Sequence, residues 1–473
     1  MNSKDSTNSK AANNQNSKIE WNLKREFQPA IPFDILISRK QELQNRLGQY
    51  GILVLYSATE KLQSNTVYYQ FRQDSDLYYL TGLELPSIRL IVTYDRMILF
   101  SDQPDPENEV WLGIRPNHTE LKQLCPIDQV YSIDEFSKQL SDSLHGKLRL
   151  FYGFGQNTAN DAEILAKVDG QIRRGRAAQS APSAIHHTHS ILHQMRMIKS
   201  DYEIKQMNEI AKITAEAHRQ IQSIVKPNLF EYQLEAEVLS VFKNHNSVAA
   251  YPTIVASGAN GCILHYTSNH HQIGENDLIL VDAGAGKHNI HTDVTRTFPA
   301  SGKFSSAQKA AHNAVLQAQA AALQKTVIGS SMEESHLAAV SVLVDFLRDE
   351  KVLIESKDTC IEKQLYRPFY MHRTGHYIGY DVHDVGSYYD LTDTDSKTGE
   401  IHYSPREFEA GMVCTVEPGL YFSPGLEASK HFAGIGIRIE DDVLITEKEP
   451  QILTVNIPRS VEEIELFMKE SRK

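Results

Sequence analysis

DLILVDAGAGKHNIHTDVTRTFP, residues 277–299, reads as two short strands joined by a tight connection. Side chains alternate along a strand, so Leu278, Leu280 and Asp282 share one face of the first. Asp293, Thr295 and Thr297 share one face of the second. Gly284 and Gly286 suit a hairpin-like reversal between them. A carboxylate at the end of an apolar strand needs a partner, because burying it alone is very costly. Two such carboxylates brought together by one reversal repel each other unless a cation sits between them. Asp282 and Asp293 are therefore candidate metal ligands. On this stretch alone, two solvated acids at a loop edge explain the pattern equally well.

Further along the chain the same pattern returns. In GMVCTVEPGLY, Val413, Thr415 and Glu417 share one face, and Pro418-Gly419 stops the strand. In GIGIRIEDD, Gly436, Arg438 and Glu440 share one face, with Ile435, Ile437 and Ile439 opposite. FYMHRTGHYIGYDVHDVG, read as strand and turn from Phe369 onward, adds His372, His376 and His383. Four strands that each point an acid out of an apolar run are hard to explain as solvated edges. Arg438 neighbours Glu440 and is read as orienting it. AGAGKH around Lys287 is not a phosphate loop, because His288 stands where a Ser or Thr is needed.

Outward from these strands, the second half reads as two helices and two strands, twice over. Ser200 with Glu203 forms a capping box opening one helix, and Pro227-Asn228 ends it before a second that runs to about Phe242. Ser305 with Gln308, and Ser331 with Glu334, open two more. The first half is mixed α/β: a helix over 35–47, a strand over 51–56, a strand over 78–83, a hairpin IRLIVT/MILFS, a strand over 148–152 and a helix over 161–174. This gives an α/β (α+β) chain with a polar, disordered tail over 1–25, one unit over 26–195 and a second over 196–473. No apolar run approaches the roughly 20 residues of a membrane span. A net charge of −12 argues against nucleic acid or an anionic membrane as partner. The tail has no apolar core of a signal peptide, and Cys125, Cys262, Cys360 and Cys414 are widely spaced. A reducing, cytoplasmic location with free thiols is expected.

VDAG…TDVTRTFP, GHYIGYDVHDVG, TVEPGLY and GIRIEDD, in that order, resemble the pita-bread metallopeptidases, and most of all the proline-specific aminopeptidase P branch. RQDSDLYYLTG, EVWLGIR and QMRMIKSDYEI extend the resemblance over roughly residues 30 to 470. It implies an N-terminal α/β domain, a C-terminal pita-bread domain and two divalent cations. Asp282 would bind one cation, His376 and Glu417 the other, and Asp293 and Glu440 would bridge both. Four carboxylates with one imidazole form a hard donor set that favours Mn²⁺ over a thiolate-type zinc site. The implied reaction is hydrolysis of the bond before a proline, by water activated between the cations. Catalytic roles fall on Glu417 as proton shuttle, on His383 as hydrogen-bond donor and on His265. Tyr251, His265, His372, His383, Arg406 and Arg438 match substrate-side positions. Trp111 matches a residue that a neighbouring subunit lends, which implies a homo-oligomer, a dimer or tetramer.

Three departures stand out. Asn65-Thr66 replaces a region that often carries an acid, Ala259 in SGANG replaces a Glu, and the polar stretch 390–400 looks like an extra loop before Arg406. The competing readings are a prolidase, which cuts only Xaa-Pro dipeptides, and a methionine aminopeptidase, which normally lacks the large first domain. A creatinase-like enzyme or a non-catalytic pita-bread binding protein would have lost ligands, and here all five are present.

Overall fold

The computed structural model describes residues 27–173, 181–394 and 401–472. The polar tail and residues 395–400 of the expected extra loop lie outside the described residues.

The first part is built on a six-stranded mixed sheet in the order 129–131, 97–100, 89–93, 51–56, 149–152, 184–186. The strand Gly51–Tyr56 lies at its heart, buried almost throughout, antiparallel to Arg89–Thr93 and parallel to Arg149–Tyr152. That burial on both faces matches its continuous apolar sequence, GILVLY. The expected strand at 78–83 is instead the helix Ser75–Thr81. All seven of its residues are buried, so no polar stripe marks the helical period. The usable signals were at its ends: Asp74 accepts the Leu77 amide at the start, and Gly82 closes it in the left-handed region.

In the second part, Asp201–Ile224 starts at the Ser200/Glu203 capping box and packs on Glu231–Asn244. Ser306–Leu323 and Met332–Asp349 form the second helix pair. Each pair is followed by short antiparallel strands, as the sequence pattern implies. Leu278–Asp282 lies between Ile254–Ser257 and Thr295–Pro299, with Asp282 opposite Thr295 and Leu280 opposite Thr297. The tight connection expected between the two acidic strands is a second hairpin, Ala285–Lys287 with Ile290–His291. It turns at His288 and Asn289, both at positive φ, rather than at the glycines.

Gly284 serves close approach instead. A Cβ there would stand 1.8 Å from the Thr292 carbonyl oxygen. Gly284→Ala must push the two chains apart next to Asp282 and Asp293, and is expected to cost about 3 kcal/mol. A urea midpoint equal to that of the unchanged protein would contradict this.

The histidine segment also differs from expectation. Among the described residues from 363 to 388, only Tyr377 makes a ladder-type pairing, a single bridge to Cys414. Its backbone is held piecewise, with the Thr415 amide donating to His376 O and the Glu417 amide to Thr374 O. Polar stretch 390–394 is not loop but part of the strand Tyr389–Thr394, paired with Ile401–Pro405. No helix of the described residues is long and apolar enough to cross a membrane.

Candidate metal centre

The acids sit where strands end. Asp282 closes its strand, Asp293 lies two residues before Thr295–Pro299, Glu417 follows Val413–Val416, and Glu440 lies between Gly436–Arg438 and Asp441–Leu444. A strand end lets the backbone stay paired while the side chain enters a shared space. Asp282, Asp293 and Glu440 each offer an oxygen within 4.8 Å of the others. His376, Glu417 and Glu440 form a second such set, and Asp293, His376 and His383 a third. The five residues expected as ligands therefore converge, with Asp293, His376 and Glu440 each common to two sets.

Their orientation is fixed by neighbours. The Tyr251 hydroxyl lies 2.6 Å from Asp282 Oδ1 and 2.5 Å from Asp293 Oδ1. Arg438 reaches Glu440 only through Thr295, and its direct bond to a ligand carboxylate is to Asp282. Its Nη2 donates to Asp282 Oδ2 at 2.6 Å, Nε to Thr295 Oγ1 and Nη1 to the Tyr421 hydroxyl. Glu440 is held by Thr295, whose Oγ1 donates to Oε2 at 2.6 Å. The Asp293 amide donates to the Asp442 carboxylate. His376 Nδ1 lies 3.0 Å from the Tyr377 carbonyl, which places the proton there and turns Nε2 toward Asp293 and Glu417, 3.4 and 3.7 Å away.

The electrostatics test whether cations fit. Burial, followed by the charges of Asp293, Glu417 and Asp282, drives the Glu440 carboxyl well above its ordinary range. Burial also raises Asp282, against the pull of Arg438. Four clustered acids, three buried and Glu417 half-buried, carry more negative charge than the Arg438 guanidinium and the neighbouring imidazoles compensate. An oxygen-rich set of this kind fits divalent cations.

A cavity of about 240 Å³ opens on the cluster. His265, His372, His383 and Arg438 line it, and the His383 ring stands 4.2 Å from that of His376. Tyr251 touches the carboxylates rather than lining the cavity. Arg406 lies outside it, bonded to Gln194 and paired with Glu409. Trp111 lies on the short helix Pro106–Leu112 and is 85% exposed. Sequence reasoning did not single out Thr295 or Asp442 as partners of the ligands, nor Tyr421 as the partner of Arg438 and His372. Thr295 could have been suspected, since alternation places it on the face of Asp293.

The family model for metallopeptidase family M24 matches residues 205–447, more than half of the chain. The chain belongs to metallopeptidase family M24. Its divalent metal ions follow from that membership. The M24 part is preceded by a match to the aminopeptidase P N-terminal domain over residues 36–152. A Haemophilus influenzae Xaa-Pro aminopeptidase is 35% identical over 93% of this chain and 99% of its own length. The Escherichia coli Xaa-Pro aminopeptidase is 34% identical over 92% and 97%. Among solved structures, the Pseudomonas aeruginosa aminopeptidase PepP superposes with a TM-score of 0.86 at 36% identity, covering 93% of this M24 chain and 99% of that one. A zinc-substituted Escherichia coli aminopeptidase P in complex with product gives 0.86 at 34% identity, covering 94% and 99%.

Proposed function

We propose that the chain is an Xaa-Pro aminopeptidase, releasing the first residue of peptides whose second residue is proline. One observation carries this: Asp282, Asp293, His376, Glu417 and Glu440 meet at one cavity, in a chain whose full-length relatives bear that activity in their names. Two cations, Mn²⁺ by the hardness of the donors, would be held by Asp282 on one side, His376 and Glu417 on the other, and Asp293 and Glu440 between them. Bound there, such ions would supply Lewis-acid chemistry, an activated water and a polarised scissile carbonyl.

The remaining work belongs to the protein's own groups. Tyr251 and Arg438 fix the Asp282 carboxylate, and Thr295 fixes Glu440. His383 donates a hydrogen bond to the substrate carbonyl oxygen. Glu417 delivers a proton to the prolyl nitrogen as the C–N bond breaks. That nitrogen carries no N–H before cleavage, so side chains must shape its pocket, here His265 and His372. Arg406 serves the substrate from outside the cavity. Trp111, so exposed on one subunit, is buried against the site of a neighbour, giving a homo-oligomer, a dimer or tetramer. The four free thiols suit a cytoplasmic enzyme. Its two units meet near residue 195, after the N-terminal tail.

The test is one assay after chelation and re-addition of Mn²⁺. An Xaa-Pro-Yaa tripeptide is expected to be cut and a Met-Ala peptide left intact. Cleavage of the Xaa-Pro dipeptide alone would make the chain a prolidase, and release of Met alone would overturn the proline reading.

A further inference from the structure

The polar stretch 390–400 reads in the sequence as an extra loop before Arg406, and the described residues around it do something specific. Tyr389–Thr394 and Ile401–Pro405 form a hairpin whose root stands beside the metal centre. Tyr388 stacks on the buried Tyr377 ring at 5.1 Å, and its hydroxyl accepts the Tyr377 amide. The Tyr389 hydroxyl donates to Glu333 and accepts from Arg373. Arg406 ties the foot of the hairpin, its amide donating to Tyr388 O and its guanidinium facing Asp390.

Between this root and the start of the helix Met332–Asp349 lies a second cavity of about 510 Å³. Met332, Tyr388 and Tyr389 give it an apolar, aromatic wall. Its two charged side chains, Glu333 and Arg373, pair with each other at 2.8 Å, so no unbalanced charge remains there. Arg373 and Gly375 line this cavity and the metal cavity alike, so the two adjoin. Thr374 and Gly375 also lie against Glu417, whose amide donates to Thr374 O. The metal cavity is smaller than the roughly 300 Å³ at which pockets for drug-sized ligands begin. A peptide longer than a few residues must run on out of it.

We propose that the hairpin root makes this second cavity the binding site for the peptide beyond the proline, and that it selects substrates with an apolar or aromatic side chain there. The inference rests on the aminopeptidase reading and deepens it. Glu417 protonates the leaving nitrogen, so the departing chain begins on the side of Thr374 and Gly375, where the second cavity starts. An aromatic side chain packs against the two tyrosines and the Met332 thioether. A charged one finds Glu333 and Arg373 already engaged with each other.

The test compares kcat/KM for an Xaa-Pro-Ala tripeptide with that for a pentapeptide carrying Phe two residues after the proline. An apolar pocket of this kind discriminates by about tenfold or more, so the pentapeptide is expected to exceed the tripeptide by that factor. Tyr389→Ala should bring the ratio close to one. Leu391→Ser, on the same hairpin but exposed and away from the cavity, should keep the ratio of the unchanged protein. A ratio unaffected by Tyr389→Ala overturns the proposal. So does an equal effect of Leu391→Ser, which would point to loss of the hairpin rather than of a pocket. If neither substrate is cut by the unchanged protein, the aminopeptidase reading itself fails, which is a different result.

Discussion

Glu440→Gln is expected to abolish peptide hydrolysis and metal loading together while the fold survives. Glu440 belongs to two of the three convergent sets, with Asp282 and Asp293 in one and His376 and Glu417 in the other. Glutamine keeps the shape and can still accept the hydrogen bond from Thr295 Oγ1, but it removes one negative charge from the acidic cluster that fits divalent ions. A metal contribution of several kcal/mol to the transition state corresponds to roughly a 10³-fold fall in kcat/KM. Asp293→Asn should behave alike, since Asp293 also joins two sets. Metal content after dialysis, measured by elemental analysis, should fall in step with activity. Melting of the stripped protein separates this from misfolding. Glutamine removes one of four mutually repelling carboxylates, so the stripped variant should melt no lower than the stripped parent. Full activity in either variant would refute the bridging assignment.

How far the sequence carries depends on how local the cause is. The helix starts at Ser200, Ser305 and Ser331 were legible because a cap is a contact within three residues. The four acids were legible because a carboxylate at the end of an apolar strand is a local anomaly. What holds them is not local. Thr295 meets Glu440 across 145 residues, and Arg438 meets Asp282 across 156. Period-two reasoning placed Arg438 with Glu440, and both do line the metal cavity, but the strand stops at Arg438 and its direct bond goes to Asp282 instead. Tyr78–Leu83 misled for a related reason. An aromatic-rich helix buried on every side has the composition of a strand, and only Asp74 and Gly82 at its ends betray it. The histidine segment has no repeating period to read. Its shape comes from Gly375, where a Cβ would stand 2.1 Å from the Thr415 carbonyl oxygen, and from contacts with a distant arginine.

That arginine is Arg196, and its replacement by Met is expected to cost about 3–5 kcal/mol of stability. Its side chain is buried, with Nη1 2.7 Å from Asp76 and Nη2 2.7 Å from Asp381 and 2.6 Å from Asp384. Lys199 reaches the other oxygen of Asp384 at 3.0 Å. Asp76 belongs to the helix Ser75–Thr81 and Asp384 follows His383, so one guanidinium ties the first sheet's helix to the segment carrying His376 and His383. Methionine fills much of the space but removes the one cation that Asp76, Asp381 and Asp384 share, leaving Asp384 to Lys199 and Asp76 to His193. Burial alone would raise the Asp76 carboxyl, yet the His193 hydrogen bond and the Arg196 charge outweigh it and hold it at about 2. A folded value below the unfolded one means that this stabilisation is complete above about pH 4 and is lost as the pH falls toward 2. The stability gap between parent and Arg196→Met, measured by urea unfolding, should therefore be wide at pH 7 and narrow on acidification. Loosening the segment that carries His376 should also lower kcat/KM by about 10- to 100-fold, the usual cost of removing a support behind a metal ligand. Adding Asp76→Asn and Asp384→Asn to Arg196→Met removes the stranded charges and should recover much of the stability, though not the activity. A single variant as stable as the parent at pH 7 would show that the three carboxylates do not depend on Arg196.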